Sequence, residues 1–185
     1  MDISELRQGM IGLSGGNSFI QKAIRFFTRS DFSHSFPIVV GIEGVVSSFE
    51  TTSTIVSSVP MSHKLVEPEW IQIWEPICSD ALKRQALKET YEEYAGTWYG
   101  YLSYLWFMYR AVARLFGKEP KHVWSWADNN VTCTELTCYY LAKLGPEFVN
   151  LFKDLDYSAQ SPEELLNIMK ANPHLFKLHG WLKEK

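Results

Sequence analysis

Within this 185-residue chain, the residue best placed for covalent chemistry is Cys133, in the stretch NNVTCTELTCYYLAKLG from Asn129 to Gly145. Thr132-Cys133-Thr134-Glu135 has the form of a capping box, with Thr132 as N-cap and Glu135 reaching back from the third helical position. That puts Cys133 at the first position of a helix. There the positive end of the dipole and the unpaired N–H groups favour a thiolate, and the same N–H groups can receive an oxyanion. The chemistry implied is nucleophilic attack on a carbonyl. The competing reading is plain packing, because free cysteine is among the most buried residue types.

Cys133, Leu136, Thr137, Tyr140, Leu141 and Leu144 recur at helical spacing, which predicts a buried stripe with the helix N-terminus at a cleft edge. Cys138 points to the other side of that helix and Cys78 ends a strand-like run, so both read as packing residues. A thiolate needs a base, and five histidines are available. His63 and His122 sit in polar loops and His174 follows a proline, so all three read as solvated. His179, in an apolar C-terminal run, reads as a satisfied structural residue. His34 differs: in RSDFSHSFPIVVGI it opens a buried-type strand directly after a polar turn, the rigid placement that a general base requires. An acidic group would orient its ring. Glu50, in VVSSFETT, comes back beside His34 if the two runs form a hairpin. Glu43 sits in the turn GIEGV, and Asp31 and Asp128 are loop alternatives.

The elements that must hold these residues are legible in outline. MIGLSG (Met10–Gly15) reads as a short strand, and NSFIQKAIRFFTRS as a helix capped by Asn17 or Ser18. Four strand-like runs follow, SHSFPIVVGI, GVVSSFETT, STIVSSVP and EWIQIWEPI, rich in Val, Ile and aromatics and broken by Gly and Pro. Ser79–Tyr94 reads as a polar-faced helix opened by Ser79 or Asp80. The uncharged run Ala95–Tyr109 reads as an aromatic helix, and GKEPKHVWSWADNN as the loop before Cys133. Near the end, SPEELLNIM has Ser161 as cap and Pro162 at the first helical position. No internal repeat or charged linker interrupts residues 1–185, which predicts a single α+β domain with an antiparallel sheet packed against helices.

Composition narrows the function classes. Hydrophobic residues make up 46% and charged ones 21%, the proportions of a globular protein. The formal charge of −3 gives no overall argument for nucleic acid or for an anionic membrane. The 15 uncharged residues from Ala95 to Tyr109 fall short of the ~20 that a span needs, so contact with lipid is allowed but crossing is not. Three cysteines, two of them ~7.5 Å apart in rise along one helix, do not describe a disulfide framework. Without a C-x-x-C pair or ligand spacing among the histidines, neither a zinc site nor any other cofactor is expected. The opening MDISELRQGM lacks a basic-then-apolar leader profile, which points to the cytoplasm.

Taken in order, GMIGLSGGNSFIQKAIRFFTRSDFSHSFPIVV, SFETT, the G-x-x-Y element from Gly96 to Tyr99, CTEL and SPEEL spell a pattern. It resembles the circularly permuted branch of the NlpC-type, papain-like cysteine peptidases and amidases, which also includes relatives of lecithin:retinol acyltransferase. The resemblance spans the chain from about Gly9 to about Leu178. It implies a permuted papain-like fold with Cys133 as nucleophile, His34 as general base and then acid, Glu50 as the group orienting His34, and Tyr99 at the substrate. Two positions depart from the pattern: Ser35-Phe36-Pro37 after the histidine, where Pro37 implies an edge strand or a bulge, and Gly100, where an aspartate is expected. The activity implied is hydrolysis of amides in peptides or cell-wall fragments. The alternatives are a lipid thioesterase or acyltransferase using the same three residues on an acyl-lipid, and a silent papain-like module that only binds a partner.

Overall fold

The structure is a computed structural model that describes residues 1–51, 55–66, 69–99, 109–110, 112–113, 116–118, 130–157 and 160–185. A 3-10 turn at Ile3–Glu5 leads into strand β1 (Ile11–Gly16), helix α1 (Phe19–Thr28), β2 (His34–Val40), β3 (Val46–Thr51) and β4 (Val56–Pro60). Then come α2 (Met61–Val66), β5 (Glu69–Pro76), α3 (Asp80–Tyr94) and the short strands β6 (Trp98–Tyr99) and β7 (Asn130–Val131). Helices α4 (Cys133–Ala142), α5 (Pro146–Phe152) and α6 (Pro162–Ala171) precede the last strand, β8 (Phe176–Lys183).

The helices start where their caps dictate. Ser18, Ser79, Thr132 and Ser161 each accept the N–H of the third helical residue, and at Ser18, Thr132 and Ser161 a Gln or Glu closes the box. The hairpin between β2 and β3 turns on Gly44, whose φ of 75° is one that a side-chain-bearing residue adopts only with strain.

Six strands form one sheet in the order β4-β3-β2-β1-β5-β8, with every pair antiparallel. The molecule is therefore α+β, an antiparallel sheet packed against helices. Both faces of the sheet are covered, which explains why β5 reads as an almost continuous apolar run. Trp70 and Trp74 join Ile11, Leu13 and the residues of α4 and α6 on one face. Ile71 and Ile73 join Leu6, Met10, Phe36, Ile38 and Met61 on the other. Gly12 lies opposite Phe36, and a Cβ there would fall 2.2 Å from that ring, so only glycine fits.

Three sequence expectations change. Pro37 does not mark an edge, because β2 is interior. Its pairing with β3 runs only from Ile38 to Val40, so the missing N–H falls where that ladder has ended. The lead-in to β1 carries the irregularity instead: Gly9 N–H donates to the Ile38 carbonyl (2.9 Å) while Ile38 N–H donates to the Met10 carbonyl (2.7 Å). Trp98 and Tyr99, expected to open a helix, form a strand parallel to Asn130–Val131. The C-terminal run around His179 is a strand that pairs with β5, because β5 still has a free edge to offer. Most of the expected aromatic helix over 95–109, together with Gly100, His122 and Asp128, lies outside the described residues. No helix of the described residues is long and apolar enough to cross a membrane.

Candidate active site

Cys133 is the first residue of α4, and the box expected from the sequence is present: the Thr132 hydroxyl accepts the Glu135 N–H and the Glu135 carboxylate accepts the Thr132 N–H, both at 3.2 Å. The helix is buried on nearly every side rather than along one stripe, Cys138 included. Two hydroxyls fix it to the strand that carries His34. The Thr137 hydroxyl donates to the Cys133 carbonyl (3.0 Å), so the 3.1 Å bond between Ser35 and Thr137 uses the Ser35 hydroxyl as donor. Tyr140 donates to the Gly9 carbonyl at 2.8 Å, tying the same helix to the start of β1.

His34 is the first residue of β2. It shares a sheet face with Phe36, whose ring centroid lies 5.7 Å from that of the imidazole, and its place at the strand's end brings it to the α4 N-terminus. Its Nε2 is hydrogen-bonded to Glu50 Oε2, so Nδ1 is the nitrogen left over for Cys133, whose charge acts on the ring. The hairpin register places Glu50 on the same face as His34. Ser48 donates to Glu50 Oε1 (2.5 Å), and the Lys64 ammonium stands 3.0 Å from Oε2 while lying 4.9 Å over the Phe36 ring. The His34 side chain is 17% exposed and Cys133 7%, so both groups are largely shielded from water.

The electrostatics follow from this crowding. Burial alone would lower the His34 pKa, but the charges of Cys133 and Glu50 outweigh it and raise the value from 6.5 to about 10. Burial would raise the Glu50 carboxyl, yet His34, then Lys64 and Ser48, pull it down from 4.5 to about 2. Burial also works against a Cys133 thiolate. The His34 imidazolium, with hydrogen bonds from its ring, from Ser35 N–H and from Thr134, holds the thiol below its ordinary 9.0. Cys138 and Cys78 move the other way, both pushed up chiefly by burial. Of the three cysteines, Cys133 alone has its thiol pulled toward ionisation, by the neighbouring imidazole.

A pH dependence of stability results. The His34 contribution is complete below 6.5 and is lost as pH rises through about 10. The Cys133 contribution is complete above 9.0 and is lost as pH falls toward its depressed value. Where the two ranges overlap, these opposing slopes offset one another. Glu50 adds a loss as pH falls from 4.5 through about 2. Thermal unfolding midpoints are expected to drop as pH rises from 9.0 through about 10 and again as it falls below 4.5; midpoints unchanged at both ends would show that His34 and Glu50 are not paired.

Of the residues singled out from the sequence, the structure brings Cys133, His34 and Glu50 together. Tyr99 pairs through its backbone with Val131, two residues before Cys133; its side chain lies outside the described residues. Glu43, His63 and His174 are exposed, and Asp31 pairs with Lys185 at 2.7 Å. His179 is 2.6 Å from Glu75, which also holds Arg7 and Lys83, the satisfied structural role expected of it. Ser48 and Lys64 were not foreseen. Ser48 had a signal, since it lies two residues from Glu50 on one strand and so on its face. Lys64 had none.

No family model matches the chain, and no curated protein matches it. A similar solved structure is the crystal structure of metalloprotein yiiX from Escherichia coli O157:H7, DUF1105, at 20% identity and a TM-score of 0.55. The match covers 75% of this chain and 66% of that one, a likeness of fold alone.

Proposed function

We propose that this protein is a thiol hydrolase of permuted papain-like type that cleaves amide bonds in peptides or cell-wall fragments. The observation that carries the reading is a buried thiol at a helix N-terminus, Cys133, whose ionisation is favoured by an imidazole that a buried carboxylate holds through Nε2. In the reaction the Cys133 thiolate adds to the substrate carbonyl, and the backbone N–H of Cys133 at the helix N-terminus receives the oxyanion. The C–N bond breaks as the His34 imidazolium passes its Nδ1 proton to the leaving amine, giving a thioester. Neutral His34 then takes a proton from water, hydroxide adds to the thioester carbonyl, and the C–S bond breaks to re-form the thiolate beside a reprotonated His34, while the carboxylic acid leaves and gives its proton to solvent. Glu50 keeps Nε2–H oriented throughout and stabilises the imidazolium.

The structural neighbour is named as a metalloprotein. Among the described residues here no group of three His, Cys, Asp or Glu is arranged to hold an ion. The test is alkylation by iodoacetamide as a function of pH, read residue by residue in the mass spectrometer, in wild type and in His34→Ala. Cys133 is expected to react well below pH 9.0, and to lose that reactivity without His34, while Cys78 and Cys138 lag in both proteins. Equal behaviour of all three cysteines would overturn the reading in favour of a silent binding module.

A further inference from the structure

Helix α1 leaves much of its apolar side outside, unlike an ordinary surface helix. At ~100° per residue, Phe19, Ile20, Ala23, Phe26 and Phe27 share one side, and Gln21, Arg25 and Thr28 the other. A surface helix normally turns its apolar side to the core. Here Phe19, Ile20 and Phe26 face solvent, while Gln21, Arg25 and Thr28 are half-buried together with Ala23, Ile24 and Phe27. Gln21 lies over Gly16 so closely that a Cβ there would fall 2.4 Å from Oε1. The Arg25 guanidinium stacks 4.7 Å from the Trp70 ring centroid, which ties that side of the helix to β5. None of the helix's ten residues is buried; Phe19 is 88% exposed, Phe26 77% and Ile20 57%.

The charges beside that face have one sign. Lys22 lies on the flank next to Phe26, and Arg29, seven residues on, is the left-handed C-cap. No acidic residue occurs from Gly15 to Ser30. The next one, Asp31, is occupied by Lys185, whose ammonium also stands 5.3 Å over the Trp70 ring. A chain of net charge −3 thus presents a locally cationic edge around exposed aromatics.

We propose that α1 is an interfacial helix that docks the protein on an anionic lipid surface. Phe19, Ile20 and Phe26 enter the boundary between headgroups and acyl chains, while Lys22 and Arg29 meet lipid phosphates. The charges argue against a second copy as the occupant. A two-fold contact through α1 would set Lys22 and Arg29 against their own counterparts with no acidic partner on the helix. The docked face belongs to the end of the sheet that holds the candidate site, because α1 joins β1 at Gly16 and ends six residues before His34, itself paired with Ser14. A lipid-borne acyl compound would therefore arrive beside Cys133. Docking itself does not depend on the Cys133 chemistry and is measured without it.

The experiment is sedimentation of the full chain with vesicles of phosphatidylcholine alone and of equal parts phosphatidylcholine and phosphatidylglycerol. Light scattering reports oligomeric state, and circular dichroism the fold. Wild type is expected to sediment with the mixed vesicles and weakly or not at all with the neutral ones. Lys22→Glu with Arg29→Glu should weaken binding by at least about fivefold per position, and Phe19→Ser with Phe26→Ser by about tenfold or more. All four positions are solvent-facing, so folded variants are expected. Absence of wild type from the mixed-vesicle pellet, or binding unchanged in both variants, would overturn the proposal. So would a wild-type dimer that Phe19→Ser with Phe26→Ser converts to monomer, since a second copy would then be what covers the face.

Discussion

Cys133→Ala is expected to abolish release of amine from peptide and cell-wall-fragment substrates, lowering turnover by at least about 10⁴-fold, with the fold unchanged. The loss is this large because no other described group stands where Cys133 does. Cys138 lies on another side of α4 with its thiol pushed up, and Thr134 at 3.9 Å from Sγ has a hydroxyl far less acidic than a thiol. The substitution removes a buried thiol and leaves alanine, a good helix former, at the first helical position, where the Thr132 box persists. His34→Ala should cost a similar factor, and the double variant little more, since the two groups act as one unit. Chromatographic assay of amine release with near-ultraviolet circular dichroism as fold control measures this. Turnover that survives in Cys133→Ala would sink the hydrolase reading.

The second large effect concerns stability as much as rate. Glu50→Gln should destabilise the protein by about 3–5 kcal/mol, a lowering of the melting midpoint on the order of 10 °C. Glu50 is a buried carboxylate facing two cationic groups, His34 and Lys64, and both partners are largely shielded from water. Its removal leaves the Lys64 ammonium buried without its counter-charge, which costs more than the net worth of the original pair. A companion variant separates the two roles of the carboxylate. Adding Lys64→Met to Glu50→Gln removes the stranded ammonium while keeping an unbranched chain against Phe36. The melting midpoint should recover most of the loss, whereas turnover should stay low because His34 still lacks its carboxylate. Recovery of activity together with stability would mean that Glu50 is a packing group and not the residue that orients His34.

The contrast between Glu50 and Lys64 marks where sequence reading stops. Local rules were enough for the element starts: Ser18, Thr132 and Ser161 cap helices because a short hydroxyl followed three residues later by Gln or Glu satisfies the same two N–H groups wherever it occurs. They were enough for Cys133 too, since its place at a helix N-terminus follows from Thr132 and Glu135 beside it. They reached Glu50 through one further step, because the hairpin of β2 and β3 closes over a short turn at Gly44 and period-two alternation then decides the face.

Lys64 depended on something else. It arrives from α2, after β4 has already turned away, and its burial against Phe36 and Glu50 exists only once both faces of the sheet are covered. The strand at Phe176–Lys183 was likewise hidden, because which edge of a sheet remains open is a property of the assembled strand order. Helix α1 gives the sharpest case. Its pattern of Phe, Ile and Ala was legible as amphipathic, yet periodicity says only that two sides differ. How the helix sits was decided by Gly16 and Trp70, which receive Gln21 and Arg25, and that placement left Phe19, Ile20 and Phe26 facing outward. By itself, then, the sequence determined the caps, the alternation of the strands and the chemistry available at Cys133, His34 and Glu50, because these act over a few neighbouring residues. The ion pairs around Glu50, the closing strand and the outward face of α1 were decided by tertiary structure, because each depends on which distant surfaces come together.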